Sequence, residues 1–202
     1  MKTLLTLFSL SILLIAPNAH SSQNADLEQV KIFVNSVGNN IIDIAKENIS
    51  EEEKIKRIIG EVDKSIDSAW ISRFVLGINY RRASDDQKQR FQELYRSFMI
   101  NTYGPKFKNY DGRKFAVTKV TKQKSYFLAK AEFLPRKSNV PILVDFRVKE
   151  RGGKLVILDF ITEGISLIET QRSEFNSAIN SKGMEKFLEM LAQKVEKLKR
   201  PK

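Results

Sequence analysis

The stretch VPILVDFRVKERGGKLVILDFIT, residues 140–162, decides the fold class. In its first half Ile142, Val144, Phe146 and Val148 are apolar and alternate with Leu143, Asp145, Arg147 and Lys149. A period of two puts the first set on one face of a β-strand and a mostly wet set on the other. Gly152-Gly153 then supplies two residues that tolerate positive φ, as a tight hairpin turn requires. In the second half Leu155, Val156, Ile157, Leu158, Phe160 and Ile161 are apolar on both faces. That strand is expected where both sides of the sheet are covered.

Working outward, residues 114–121 and 125–134 carry the same β signature, so four strands with short connections predict an antiparallel meander over 114–162. Upstream the period changes to the helical one. Leu27, Val30, Phe33, Val34, Val37, Ile41, Ile44 and Ala45 recur by threes and fours and predict a helix over 26–48. Ser50 with Glu53 is a capping-box pair opening a helix over 51–67. Trp70 to Leu76 reads as one or two helical turns stopped by Gly77. Ser84 with Gln87 opens a helix over 85–103 whose face is unusually aromatic, and Gly104-Pro105 ends it. The helical period returns over 165–200, broken at Gly183. Helices, then strands, then helices give an α+β architecture: a curved antiparallel sheet of about four strands packed with flanking helices.

The chain has 202 residues, 42% hydrophobic and 29% charged, which suits a globular domain with room for a cavity. Met1-Lys2, the apolar run Leu4 to Ile15 and Ala19-His20-Ser21 have the order of a secretory leader over 1–21, leaving a domain over 22–202. That run is too short to span a bilayer as a helix. No cysteine stands at the cleavage point, so the mature protein is expected free in solution, without a lipid anchor. The absence of cysteine also excludes disulfides, thiol chemistry and thiolate metal sites. The single histidine, His20, falls within the expected leader and leaves no imidazole for Ser-His-Asp or Cys-His catalysis or the usual zinc site. A net charge of +11 suits an anionic partner. Export, scattered basic residues and the lack of a nucleic-acid-binding motif favour anionic headgroups over nucleic acid.

Asp145 and Asp159 are the carboxylates that a small exported hydrolase or isomerase would use, the alternative reading. Nothing in their spacing directs both to one cleft. The phenylalanines, 13 in all, fit either a core or the walls of an apolar cavity. Facing apolar surfaces on the helix 85–103 and the sheet suggest a pocket between Phe91, Leu94 and Phe98 on one side and Val144, Phe146 and Val148 on the other.

Two runs carry a family resemblance. The first is Leu76-Gly77, Tyr80-Arg81, Ser84 to Gln87, Phe91, Phe98 and Thr102-Tyr103; the second is Asp159, Glu163 to Leu167, Arg172 to Phe175, Gly183 and Leu188 to Leu191. Together they resemble the MlaC-type phospholipid-binding proteins, also called the toluene-tolerance Ttg2D family, over about residues 28–195. Tyr80 stands where that family commonly has tryptophan, and Ile157-Leu158 where it often has a tryptophan-led strand. The resemblance implies a cone-like (NTF2-like) sheet enclosing an apolar cavity. It implies a non-enzymatic periplasmic carrier that shuttles phospholipid between outer and inner membranes and maintains outer-membrane lipid asymmetry. Its partners would be an inner-membrane ABC transporter complex and an outer-membrane lipoprotein complex, with phospholipid as cargo and no cofactor or metal. Phe74, Tyr103, Phe115 and Ile165 join the expected pocket walls, and Arg81 and Arg172, with Tyr103 beside them, are candidate headgroup contacts.

The last helix ends in Lys194, Lys197, Lys199, Arg200 and Lys202, more positive charge than the helix dipole alone calls for. These cations are expected to favour transient contact with anionic membranes or an acidic docking surface, at about 1 kcal/mol per charge near a lipid surface. Truncation after Val195 should slow lipid delivery to anionic vesicles at low ionic strength while leaving the amount of lipid carried unchanged. Transfer rates of the full and truncated chains at two salt concentrations test this.

Overall fold

The structure, a computed structural model, describes residues 19–104, 112–135 and 139–199. Most of the expected leader, the Pro105 break, Phe107 and the cations Arg200 and Lys202 lie outside these residues. Five helices come first: α1 (Ala19–Lys46), α2 (Glu51–Ser65), α3 (Ser68–Leu76), α4 (Ile78–Arg82) and α5 (Asp85–Tyr103). The strands β1 (Gly112–Lys122), β2 (Phe127–Pro135), β3 (Ile142–Arg151), β4 (Lys154–Thr162) and β5 (Ile165–Ser166) follow, then α6 (Leu167–Lys182) and α7 (Met184–Lys199). The sheet runs β1-β2-β3-β4-β5, antiparallel throughout, curved and unclosed. None of the described helices is long and apolar enough to cross a membrane.

Local chemistry explains the boundaries. Ser50 Oγ accepts the Glu53 N–H at 3.2 Å. Ser84 makes the full reciprocal box with Gln87, at 3.2 and 3.1 Å. Gly152 and Gly153 hold φ of 56° and 75°, the pair of positive values that a two-residue hairpin turn needs. A second turn of that hand, Glu163 at φ 52° and Gly164 at φ 77°, folds Ile165-Ser166 back on β4 as a short fifth strand. The helical period therefore begins two residues later than the sequence suggests, with Ser166 as the cap of α6 and its Oγ accepting the Glu169 N–H at 3.1 Å.

Burial divides the molecule into two apolar cores. In one, α3, α5, α6 and α7 enclose Val75, Leu76, Phe91, Tyr95, Phe98, Phe175, Phe187 and Leu188. In the other, α1 lies across the sheet and buries Val30, Val34 and Val37 against Val117, Ala129, Phe146, Val148 and Ile157. Ile66, just past α2, packs against both. Each fully enclosed aliphatic or phenylalanine side chain contributes about 1.5–3 kcal/mol, so neither core is a minor appendage.

Two polar junctions tie the halves together. Asp159 on β4 is buried; its carboxylate accepts from Ser166 Oγ at 2.6 Å and from the Ile168 N–H at 3.2 Å, and Arg147 Nη1 lies 3.3 Å away. It fixes the start of α6 to the sheet. At the second junction Arg151 stands over the Trp70 ring at 5.3 Å, Trp70 stacks on Phe74 at 5.0 Å, and Arg172 covers Phe74 at 4.8 Å. This ladder joins β3, α3 and α6 through alternating cation and ring contacts.

Asp159→Ala removes two hydrogen bonds and leaves Arg147 without a buried partner, and should cost about 3 kcal/mol. That corresponds to a melting temperature lower by roughly 6–12 °C in thermal unfolding followed by circular dichroism. Asp159→Asn keeps an acceptor for Ile168 and should lose about half as much.

Candidate functional site

The sheet face that carries Phe146 is incompletely covered by α1 and α2, and a cavity of about 240 Å³ remains between them. From α1 it is lined by Val34, Val37, Gly38 and Ile41, spaced as one helical face, and from the end of α2 by Val62, Ser65 and Ile66. The sheet contributes Phe115, Phe133, Val144, Phe146, Ile157 and Phe160. No charged side chain is among these residues, and Ser65 donates its hydroxyl proton to the Glu61 carbonyl at 2.7 Å. The wall therefore offers dispersion and apolar contact.

Three rings form a continuous aromatic surface inside it. Phe115 meets Phe146 edge-on at 5.9 Å, and Phe146 meets Phe160 edge-on at 5.3 Å. Across from them, Gly38 interrupts the aliphatic stripe of α1. A Cβ built on it would lie 2.2 Å from Phe115 Cδ1 and 2.4 Å from Cε1, so the ring rests directly on the helix backbone. Glycine inside a helix costs about 1 kcal/mol relative to alanine, and here this close approach accounts for it. One turn earlier, Asn35 Oδ1 accepts the Val117 N–H of edge strand β1 at 2.9 Å and fixes α1 along that strand.

The residues expected at the pocket from sequence fall into two groups. Phe115, Val144 and Phe146 do line the cavity. Val148 lies fully buried in the same sheet core but is not on the cavity wall. Phe74, Leu94, Phe91 and Phe98 belong to the helical core, because the aromatic face of α5 packs on α7, α6 and α3 and not on the sheet. Their bulk is spent on one another: Phe91 stacks on Tyr95 at 5.4 Å, and Phe175 meets Phe187 at 5.1 Å. Tyr103, at the end of α5, is half-buried; burial lifts its pKa above the usual tyrosine range against a hydrogen bond with Gln171. Tyr95, deeper, is lifted further by burial and donates to Gln171 Oε1.

Ile165 is 62% exposed on β5. Register links it through Thr162 to cavity-lining Val144, just as half-exposed Ile142 is the partner of cavity-lining Phe133. Directly opposed residues share a sheet face, so the apolar lining continues onto the surface at this end of the strands. Val140 and Leu143 are exposed there too.

The candidate headgroup cations are not at the cavity. Arg81 is exposed on α4. Arg172 donates from Nη1 to the Phe74 carbonyl at 2.6 Å, with its guanidinium over the Phe74 ring and 3.0 Å from where a Gly77 Cβ would stand. It is an anchor between α6 and α3. Nor do the carboxylates address the cavity. Asp145 projects from the opposite face to Val144 and Phe146, towards Lys130 at 4.0 Å. Burial pushes the Asp159 pKa above the ordinary carboxylate range, against the Ser166 hydroxyl, the Ile168 N–H and Arg147, and the group is sealed within its own network. Among the described residues no cluster of three or more His, Cys, Asp or Glu could hold a metal ion.

Comparison with known proteins adds the family. The family model described as "MlaC protein" matches residues 35–193, most of the chain. The chain belongs to the MlaC family. A curated relative, the toluene tolerance protein ttg2D of Pseudomonas putida, is 23% identical over 132 residues, 65% of this chain and 60% of that protein. The match thus spans less than two thirds of the relative's length. A solved phospholipid-binding protein from Ralstonia solanacearum, in complex with a phospholipid, has the same fold: TM-score 0.71 at 19% identity, over 86% of this chain and 98% of that one. The α+β meander with flanking helices is therefore the MlaC fold.

Loss of the Arg172 anchor should be felt as stability. Arg172→Ala is expected to cost about 2 kcal/mol. Thermal unfolding should show a melting temperature lower by roughly 4–8 °C.

Proposed function

We propose that this protein is a non-enzymatic phospholipid carrier of the periplasm, exported by a cleaved leader over residues 1–21, whose cargo places its acyl tails in the cavity between α1, α2 and the sheet. The observation that carries the reading is the cavity wall itself, built from α1, α2 and the sheet with no charged side chain. Membership of the MlaC family and the fold shared with a phospholipid-binding protein support it.

The energetic need is simple. At about 0.8 kcal/mol per methylene, exposing two tails of roughly fifteen methylenes each to water costs on the order of 20 kcal/mol. A protein wall of phenylalanine and aliphatic side chains replaces the bilayer and removes most of that barrier without any bond being made or broken. The volume of about 240 Å³ lies below the ~300–1,000 Å³ of sites that hold drug-sized ligands, so a diacyl lipid must part α1 and α2 from the sheet as it enters. Ile142, opposite cavity-lining Phe133, and Ile165, reached from Val144 through Thr162, carry the lining to the surface and give tails a largely apolar path.

In this reading the carrier moves lipid between outer and inner membranes as the soluble part of an Mla-type system. It exchanges cargo with an inner-membrane ABC transporter complex and an outer-membrane lipoprotein complex, and so maintains outer-membrane lipid asymmetry.

Organic extraction of the purified protein should yield phospholipid in near-equal amount to protein. Val144→Asp, which puts a charge on the cavity wall, should lower that amount at least about fivefold with the far-ultraviolet circular dichroism unchanged. Phe98→Asp should instead lower the melting temperature by more than about 10 °C, because its ring belongs to the helical core. Absence of lipid from the wild-type protein, or full lipid in Val144→Asp, would overturn the assignment.

A further inference from the structure

We infer that Gly38 and Phe115 together set how much acyl chain the cavity accepts. The inference rests on the carrier reading and concerns which lipids the same site prefers. Three observations meet at this pair. Phe115 and Gly38 are both on the cavity wall, from opposite sides, β1 and α1. The ring lies so close over the helix that a Cβ at position 38 would sit 2.2, 2.4 and 2.7 Å from three of its carbons. The same ring is the first of the edge-to-face series that continues through Phe146 and Phe160 across the rest of the sheet wall.

The gap between α1 and β1 is therefore fixed by contact and not by a loop. The Asn35 to Val117 hydrogen bond clamps the helix to the strand one turn away, so α1 cannot simply retreat when the contact at Gly38 is altered. A methyl group at position 38 instead drives the Phe115 ring out of its seat. On one side the ring has the helix backbone and on another Phe146; the open direction is the cavity. Adding volume at position 38 thus subtracts it from the site, and removing the ring at position 115 adds it. Val62, Ser65 and Ile66 face the cavity from the end of α2, whose glycine, Gly60, has nothing within 4 Å of where a Cβ would stand, so the glycine-and-ring contact is on the α1 side.

Phospholipid should be extracted from the purified full-length protein and from Gly38→Ala, Phe115→Leu, Phe115→Ala and the double variant Gly38→Ala/Phe115→Ala, with total acyl length read by mass spectrometry. Since interiors pack at solid-like density, a phenyl ring stands in for about four methylenes. Gly38→Ala should therefore shift the bound population to a total acyl length shorter by about two to four carbons, and Phe115→Ala to one longer by a similar amount, with Phe115→Leu between wild type and Phe115→Ala. The double variant should stay close to Phe115→Ala, shorter than it by about one methylene at most, because without the ring the methyl group at position 38 has nothing to displace and takes up only its own volume. A merely structural role would lower melting temperature in all variants without opposite shifts in chain length. Identical distributions in wild type and folded Phe115→Leu and Gly38→Ala, shifts in one direction for both single changes, or a Gly38→Ala shortening just as large in the Phe115→Ala background would overturn the inference while leaving the carrier reading in place. Wild-type protein without phospholipid would remove the carrier reading, and this inference with it.

Discussion

The apolar face of the sheet is broader than the helices laid across it, and much of the molecule follows from that mismatch. Along β1 the fit is tight: Asn35 satisfies an edge-strand N–H, and Gly38 admits the Phe115 ring against bare backbone. Towards β3 and β4, α2 reaches the sheet only near its C-terminal end, where Ile66 forms a parallel bridge with Ile157. Between these two points of attachment no side chain fills the space above Phe146 and Phe160, and the gap survives as an apolar cavity. Protein interiors ordinarily close such voids, since each unmade contact is lost stability. This void is bounded by a glycine and a ring on one side and a single bridge on the other, and it is the space that the proposed carrier role assigns to acyl tails.

The second core lets the first stay loose. With α3, α5, α6 and α7 packed on one another, the chain has a rigid body that does not depend on how the sheet is covered. Asp159 and the cation-ring ladder then hold sheet and helices in one orientation through β3, β4 and the start of α6, on the sheet's far side from β1. The walls that part for a lipid in the proposed carrier role, α1 and α2, take no part in the ladder; Ile66 packs on both cores, and Asp63 near the end of α2 pairs with Arg96 on α5. Stability and capacity are thus assigned to different halves.

Much of this was legible in the sequence because it depends on period alone. The alternation in Ile142 to Val148, the Gly152-Gly153 turn and the Ser84 capping box each act locally, and the structure agrees with them to within a few residues. The pairing of apolar faces is not local. The aromatic face of α5 looked like a cavity wall because rings suit both roles; only the chain's path shows that it meets Phe175 and Phe187. Arg172 makes a similar point: a guanidinium recognises a backbone carbonyl and a ring, its partners here, as readily as a phosphate. The wall on α1 did leave a sign, a glycine within the stripe Val34, Val37, Gly38, Ile41, where an aliphatic residue would keep the pattern. Part of the basic tail is likewise engaged at home, with Lys194 over the Phe98 ring at 5.8 Å and Lys199 paired to Glu196 at 2.7 Å.

The cation-ring ladder has an optical consequence. Trp70 is the only tryptophan in the chain, and its indole is held between the Arg151 guanidinium and the Phe74 ring. The cavity wall contains phenylalanine but neither tryptophan nor tyrosine. Indole emission excited at the red edge therefore comes from the seam between the two halves and from nowhere else, and an aliphatic guest adds no absorbance of its own. The protein thus carries a single indole that lies off the cavity wall, at the seam where β3 and α3 meet.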